Sequence, residues 1–193
     1  MVRNQTAFYM GKLSYLEYTP QFHFVELFLN GQYHGTYMVG DKLKIGKNRV
    51  NVGDEGFLLE VDERAEEENG VFFRTDSLRQ PINIKDPDVN YDDVNYVYIM
   101  DYVRSAEKVL FSENFKDKDN GWRKYMDIVS FVDWYLINEI VKNGDAAFYT
   151  STYMNLKRGD KLKMGPLWDF DTSFLKSWLE NRFQWIKNEF DNM

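Results

Sequence analysis

The 193-residue chain contains no cysteine and only two histidines, His23 and His34. The absence of cysteine excludes a disulfide, a thiolate nucleophile and a zinc site built on cysteine. Neither histidine lies in a local motif, so a mechanism that depends on histidine is disfavoured. No apolar run approaches the length needed to cross a bilayer, so the sequence predicts no membrane-spanning segment. The first residues also lack the apolar stretch that a signal peptide requires.

Basic residues are in the minority as well. The 24 Lys and Arg residues are outnumbered by 31 Asp and Glu, which gives a formal net charge of −7. Binding to a nucleic-acid backbone needs a basic face, so we expect no nucleic acid as a partner. Hydrophobic residues make up 44% of the chain and aromatic residues 17%. This is enough apolar material for the core of one ordinary domain or two small lobes.

The first half of the sequence is typical of an antiparallel sheet. Residues 1–20 show no clean period and are interpreted as irregular structure or a short strand. A run of β formers from Phe22 to Leu29 precedes Asn30-Gly31, the strongest short signal for a two-residue turn, and predicts a hairpin over residues 22–40. Further strand-like runs bring the predicted sheet to about six strands within the first 85 residues, at 49–52, 56–62, 71–75 and 81–85.

The second half is predominantly helical. Apolar residues at helical spacing predict one helix from about residue 91 to 111 and a buried helix over 124–141, which ends at Asn143-Gly144. A short hairpin is predicted over 150–164, and the last 20 residues read as one amphipathic helix. The sequence therefore predicts an α+β fold, with a β-rich part at 1–111 that includes one helix and a helical part at 112–193.

The Gly-Pro-Leu-Trp-Asp-Phe-Asp segment at residues 165–171 places two carboxylates around one aromatic ring. On an extended backbone Asp169 and Asp171 point the same way. Like charges so placed repel each other unless a cation lies nearby, and a divalent ion with oxygen ligands is the simplest solution. The alternative interpretation is an Asp-rich turn that caps a helix starting near Thr172.

Two further charged residues precede this segment in an order that suits phosphoryl transfer. Lys85 ends a predicted strand and is followed by a helix, while Asp145 lies in a loop after the buried helix. Transfer of a phosphoryl group from a nucleotide needs a lysine on the phosphates, a carboxylate near the acceptor hydroxyl and a carboxylate on the metal. Taken singly, Lys85 is also explained as a solvated strand end and Asp145 as a turn residue at a helix end.

Five stretches of the chain, in this order, are similar to one known family. They are 25–37 (VELFLNGQYHGTY), 56–62 (GFLLEVD), 84–88 (IKDPD), 143–145 (NGD) and 165–171 (GPLWDFD). The chain resembles the spore coat protein H (CotH) kinases, which are secreted or surface-associated atypical protein kinases. The hairpin with its Asn-Gly turn and the 165–171 segment carry most of the resemblance.

The resemblance implies a kinase-like, two-lobe fold and transfer of the γ-phosphate of ATP to Ser or Thr of a protein substrate, with Mg²⁺ or Mn²⁺. It makes Asp145 the catalytic carboxylate, Asp169 a metal ligand and Lys85 the lysine that contacts the nucleotide. Glu60 either pairs with Lys85 or is an exposed strand carboxylate, and Asp171 is either a second metal ligand or a helix N-cap. The resemblance also implies a location at the cell surface or outside the cell. Because the family's domain is usually longer, we expect a fragment or a shortened member.

The chain departs from the family at points that bear on activity. Asp41 stands where Glu is common, and hydroxyl residues at 150–152 stand where an Asn often contributes to the metal. Neither a glycine-rich phosphate loop nor an HRD sequence is present. Two alternatives therefore stay open: a catalytically inactive, kinase-like surface module that binds a partner or a saccharide through aromatic residues, and a metal-dependent hydrolase that uses Asp145, Asp169 and Asp171.

Overall fold

A computed structural model describes residues 2–144, 147–172 and 176–191. These residues form four α-helices, seven β-strands and one 3₁₀ turn. In chain order the elements are α1 (Val2–Leu13), β1 (Phe22–Leu29), β2 (Gln32–Gly40), β3 (Phe57–Val61), β4 (Phe72–Arg74), β5 (Pro81–Asp86), α2 (Val94–Leu110), the 3₁₀ turn (Trp122–Lys124), α3 (Ile128–Val141), β6 (Thr152–Leu156), β7 (Lys163–Met164) and α4 (Lys176–Asp191). The α+β class is confirmed. None of the described helices combines the length and apolarity needed to cross a membrane.

The strands form two separate antiparallel sheets. β1 and β2 pair only with each other, and they make the hairpin that the Asn-Gly turn predicts. The other five strands follow the order β4-β5-β3-β6-β7. The expected single sheet of about six strands in the first 85 residues is therefore wrong. The larger sheet contains strands from before and after residue 111. The division of the chain into two parts at residue 111 stays a prediction.

Strand β3 lies at the centre of the larger sheet, and all five of its side chains are buried. Successive side chains of a strand point to opposite faces. Leu59 and Val61 join the main hydrophobic core with residues of α2 and α3, whereas Leu58 belongs to a smaller cluster with Val50 and Tyr153. One face of the sheet is therefore the core of the domain, and the other face carries this smaller cluster together with the buried Glu60.

Helix α1 is the largest departure from the sequence prediction. Residues 1–20 were expected to be irregular or to form a short strand, but residues 2–13 are helical and bury Ala7, Phe8 and Gly11. A Cβ atom on Gly11 would lie only 2.7 Å from the side chains of Leu167 and Thr19. The helix therefore packs closely against the chain just before the two carboxylates of the 165–171 segment.

The helices α2 and α3 are confirmed, each within a few residues of its predicted bounds. The Asp93 carboxylate accepts from the N–H of Asn95 at 2.7 Å and caps α2. Asp127 accepts from the N–H of Ser130 at 2.8 Å and caps α3, which explains why α3 starts at residue 128 rather than 124. Residues 49–52, predicted as a strand, contribute only an isolated bridge between Ile45 and Val50.

Candidate active site

An ion pair on the polar face of the large sheet joins two of the predicted site residues. The ammonium of Lys85 on β5 lies 3.2 Å from a carboxylate oxygen of Glu60 on β3. The Glu60 side chain is 7% exposed and the Lys85 side chain 33% exposed, so the carboxylate is buried while the ammonium reaches solvent. The geometry thus supports pairing for Glu60 rather than an exposed strand carboxylate. Glu68 approaches the same ammonium at 4.0 Å.

The ionisation of Glu60 depends on this pairing. Burial raises the pKa of Glu60 above its ordinary value, and the charge of Lys85 and a hydrogen bond from Tyr153 oppose that rise. The uncompensated cost of burying a carboxylate is large, so such groups are found with charged and hydrogen-bonding partners. Lys85 and Tyr153 together therefore favour the charged form of Glu60 inside the sheet.

Tyr153 connects this pair to the 165–171 segment. It lies directly opposite Glu60 in the pairing of β3 with β6, and its hydroxyl donates to the Glu60 carboxylate. Burial raises the pKa of Tyr153, and the negative charges of Glu60, Asp62 and Asp169 raise it further. The carboxylates of Glu60 and Asp169 thus act electrostatically on one phenol group.

Asp169 adopts a left-handed backbone conformation, with φ of 57°. Such a conformation is uncommon for residues other than glycine, although Asp tolerates it better than most. The Ser151 hydroxyl donates to Oδ2 of Asp169 at 3.3 Å, and the Asn143 amide donates to the Asp169 carbonyl at 3.4 Å. The flanking ring of Phe170 is buried and that of Trp168 is half-buried, as the sequence predicts for anchors of this segment.

Asp171 occupies an exposed turn directly after this anchor. Residues 173–175, which precede α4 (Lys176–Asp191), lie outside the described residues, so the alternative that Asp171 is a helix N-cap stays a prediction. The role of Asp171 as a second metal ligand stays a prediction. The expected catalytic carboxylate, Asp145, lies outside the described residues.

Sequence reasoning missed a second buried carboxylate next to Glu60. The Asp62 residue, at the end of β3, is 1% exposed. It accepts a hydrogen bond from the Thr150 hydroxyl at 3.1 Å, and the Arg64 guanidinium lies 3.6 Å away. The one available signal was the position of Asp62 two residues after Glu60, which places both on the same side of a strand. This network fastens the loop after α3 to the sheet.

The sequence also gave no indication of a role for Ser151 and Tyr153. Both follow the loop after α3, where the hydroxyl residues were noted only as replacements for an Asn. A serine before a strand and a tyrosine inside it are both ordinary, so the signal lies entirely in the spatial arrangement.

The donor set at Asp169 is compatible with a divalent cation. Among the described residues, no three His, Cys, Asp or Glu side chains lie close enough together to form a complete metal site. Mg²⁺ does not require one, since it commonly binds one or two carboxylates and completes its shell with water and substrate phosphates. Asp169 is one candidate carboxylate of this kind, and the exposed Asp171 follows two residues later.

Comparisons with known proteins identify the family of the chain. A protein-family model described as CotH kinase protein matches residues 1–192. Searches of the curated proteins and of the solved structures gave no match. The family match covers both sheets, the Lys85–Glu60 pair and the 165–171 segment. The chain therefore belongs to the CotH kinase protein family.

Proposed function

We propose that the chain transfers the γ-phosphate of ATP to Ser or Thr hydroxyls of a protein, with Mg²⁺ or Mn²⁺ as the metal. One observation carries the proposal. The buried Glu60 carboxylate pairs with the Lys85 ammonium on one face of the sheet. Asp169 is close enough to the same face that its charge raises the pKa of Tyr153. A fixed ammonium and a cation-binding carboxylate near one sheet face are what binding a triphosphate requires.

In this proposal Lys85 contacts the nucleotide phosphates. Its side chain is one-third exposed, so the ammonium is accessible to a ligand while Glu60 limits its movement. A lysine has a long flexible side chain, and the ion pair reduces the conformational freedom lost when the phosphates bind. Glu60 is therefore a positioning residue for Lys85 rather than a group that reacts.

Asp169 is the proposed ligand of the divalent cation, with Asp171 as a second ligand. When bound, the cation neutralises charge on the transferred phosphoryl group and its leaving group. The hydrogen bond from the Ser151 hydroxyl to Oδ2 helps to orient the Asp169 carboxylate. Asp145 is proposed to accept the proton of the attacking Ser or Thr hydroxyl.

Transfer of radiolabelled phosphate from ATP to a Ser-rich acceptor protein tests the proposal. We expect incorporation that requires Mg²⁺ or Mn²⁺ and falls at least about 100-fold in Asp145→Asn and in Asp169→Asn, as for loss of a group that acts in the transition state. Asp119→Asn serves as the matched control, because Asp119 lies in an exposed polar connector. Equal incorporation by all three variants would refute the assignment.

A binding module without catalytic activity is the second candidate, and the hairpin favours it. Phe24, Phe28, Tyr33 and Tyr37 are all between 46% and 64% exposed. Exposed rings of this kind suit contacts with proteins or saccharides. A thermal-shift titration separates the two candidates, because a ligand that binds only the folded state must stabilise it. A shift with ATP and Mn²⁺ together supports the kinase, and its absence supports the module.

The location is proposed on the family resemblance alone. We propose that the protein acts at the cell surface or outside the cell. Detection of the chain by surface labelling of intact cells, or in the culture medium, tests this location.

A further inference from the structure

Side chains from distant parts of the sequence form hydrogen bonds with the main-chain groups of three consecutive residues, 169–171. The Asn143 amide donates to the carbonyl of Asp169, and the N–H of Phe170 donates to Oδ1 of Asn4 at 2.6 Å. The Arg3 guanidinium donates to the carbonyl of Asp171. Two of these three contacts come from α1, which begins 167 positions before Asp169 (residue 2 against residue 169).

Aromatic packing joins α1 to the same segment. The ring of Phe8 is 2% exposed and meets Phe170 edge-on, with ring centroids 6.0 Å apart. It also lies 6.4 Å from the Trp168 ring and stacks on Phe22, at the base of the hairpin, at 5.0 Å. One face of α1 therefore contacts both neighbours of Asp169, Trp168 and Phe170, as well as the first residue of β1.

The backbone at Asp169 needs such support. A non-glycine residue in the left-handed region costs free energy and persists when its surroundings fix it. The Phe170 N–H follows directly after that residue, so its hydrogen bond to Asn4 restricts the peptide unit that joins Asp169 to Phe170. A shift of that unit would change the direction of the Asp169 carboxylate.

We propose that Asn4 is a positioning residue for Asp169, and that α1 acts as a clamp on the cation-binding segment. This inference rests on the proposed function, since it takes Asp169 as the ligand of the cation. It adds the role of a helix that the sequence did not predict. Asn4 touches neither nucleotide nor acceptor in this role, and it acts only through the Phe170 N–H.

Variants at two positions of α1 test the clamp. Asn4→Leu removes the acceptor at similar size, and Asn4→Asp keeps an oxygen for the Phe170 N–H. Gln5→Leu is the matched control on the same helix, because Gln5 is half-buried and none of the hydrogen bonds to the described part of the segment comes from it. Asn4→Ala repeats the test with a smaller side chain if leucine impairs folding.

Two measurements are made on each variant: Mn²⁺ affinity by electron paramagnetic resonance, and hydrogen exchange of the peptide that covers residues 167–172. Loss of one hydrogen bond predicts Mn²⁺ binding weakened roughly 3- to 10-fold, with faster exchange, in Asn4→Leu. Asn4→Asp and Gln5→Leu should stay within about twofold of the unmodified chain, because the acceptor is kept or was never involved.

The outcomes separate this inference from the proposed function. If the unmodified chain binds Mn²⁺ and Asn4→Leu binds it equally well, the positioning role is refuted and the proposed function is untouched. Faster exchange without weaker Mn²⁺ binding refutes the positioning role too, as does an Asn4→Asp variant that loses as much affinity as Asn4→Leu. If the unmodified chain binds no Mn²⁺, or Asp169→Asn binds it unchanged, the proposed cation site itself is wrong and the positioning role falls with it.

Discussion

Replacing Lys85 by methionine should destabilise the folded chain in a pH-dependent way. The substitution keeps the length of the side chain and removes the charge 3.2 Å from the buried Glu60 carboxylate. Removing one partner of a fully buried ion pair costs about 3–5 kcal/mol. The Lys85 side chain is 33% exposed, so solvent screens the pair, and we reduce the expected loss to about 2 kcal/mol at pH 7.5. For a chain of this size that is a fall in Tm of about 4–8 °C.

The pH dependence follows from the raised pKa of Glu60. A carboxyl group whose pKa is higher in the folded state than in the unfolded state favours folding when protonated, and this contribution is lost as the pH rises through the folded-state value. Lys85 lowers that pKa, so its removal raises the pKa of Glu60 further. The variant is therefore penalised most above this pKa, and the difference from the unmodified chain should shrink as the pH falls through it.

Urea unfolding of both chains at pH 7.5 and pH 4.5 measures the effect. Lys108→Met is the matched control, because Lys108 is an exposed residue of α2 and should cost less than about 0.5 kcal/mol at either pH. Adding Glu60→Gln to Lys85→Met should recover part of the loss at pH 7.5, since the buried charge is then gone. If Lys85→Met lowers the free energy of unfolding equally at both pH values, or not at all at pH 7.5, Lys85 does not stabilise a buried, charged Glu60 carboxylate.

Two further variants probe the neighbours of this pair. Ser151→Ala removes the hydroxyl that donates to Asp169 and should weaken Mn²⁺ binding about threefold to tenfold in a calorimetric titration. Ser112→Ala, far from the 165–171 segment along the chain, is the control and should leave the Mn²⁺ affinity unchanged. Equal affinities of the two variants would exclude a contribution of the Ser151 hydrogen bond. Tyr153→Phe removes the hydrogen bond to Glu60 and should lower the free energy of unfolding by about 1 kcal/mol at neutral pH in a denaturant titration. An unchanged free energy would contradict a contribution of this bond.

Local sequence patterns were sufficient for the hairpin, for α2 and for α3. The Asn-Gly turn determines its own geometry, since both residues have positive φ. The helices follow from periodicity over many residues, and such long patterns are the most reliable. Helix α1 has no such pattern, because it buries only a short stretch around Phe8 and the rest of its surface is mixed. Its contacts with Trp168 and Phe170 join residues more than 150 positions apart, and such contacts are not visible in a local window.

The sheet shows the same limit. Runs of β formers predicted most individual strands, but not which strands pair. β3 has neighbours on both sides that follow it in the chain, one of them after α3. At the site, the resemblance offered Glu60 as a partner of Lys85, with an exposed strand carboxylate as an equal alternative. It did not predict the burial of Glu60, the hydroxyl of Tyr153 or the support of Asp169 by Ser151, because each of these depends on strand pairing.

The central position of strand β3 limits the insertions and deletions that the chain tolerates. Phe57, Leu59 and Val61 belong to the main hydrophobic core on one side, whereas Leu58 and Glu60 lie on the other side. Both neighbouring strands fix this alignment. A one-residue slip exchanges the two sets, because the side-chain period is two. Deleting or inserting a single residue inside this strand would place Leu59 among the acidic groups and Glu60 in the interior. Such indels should therefore abolish folding and ligand binding together.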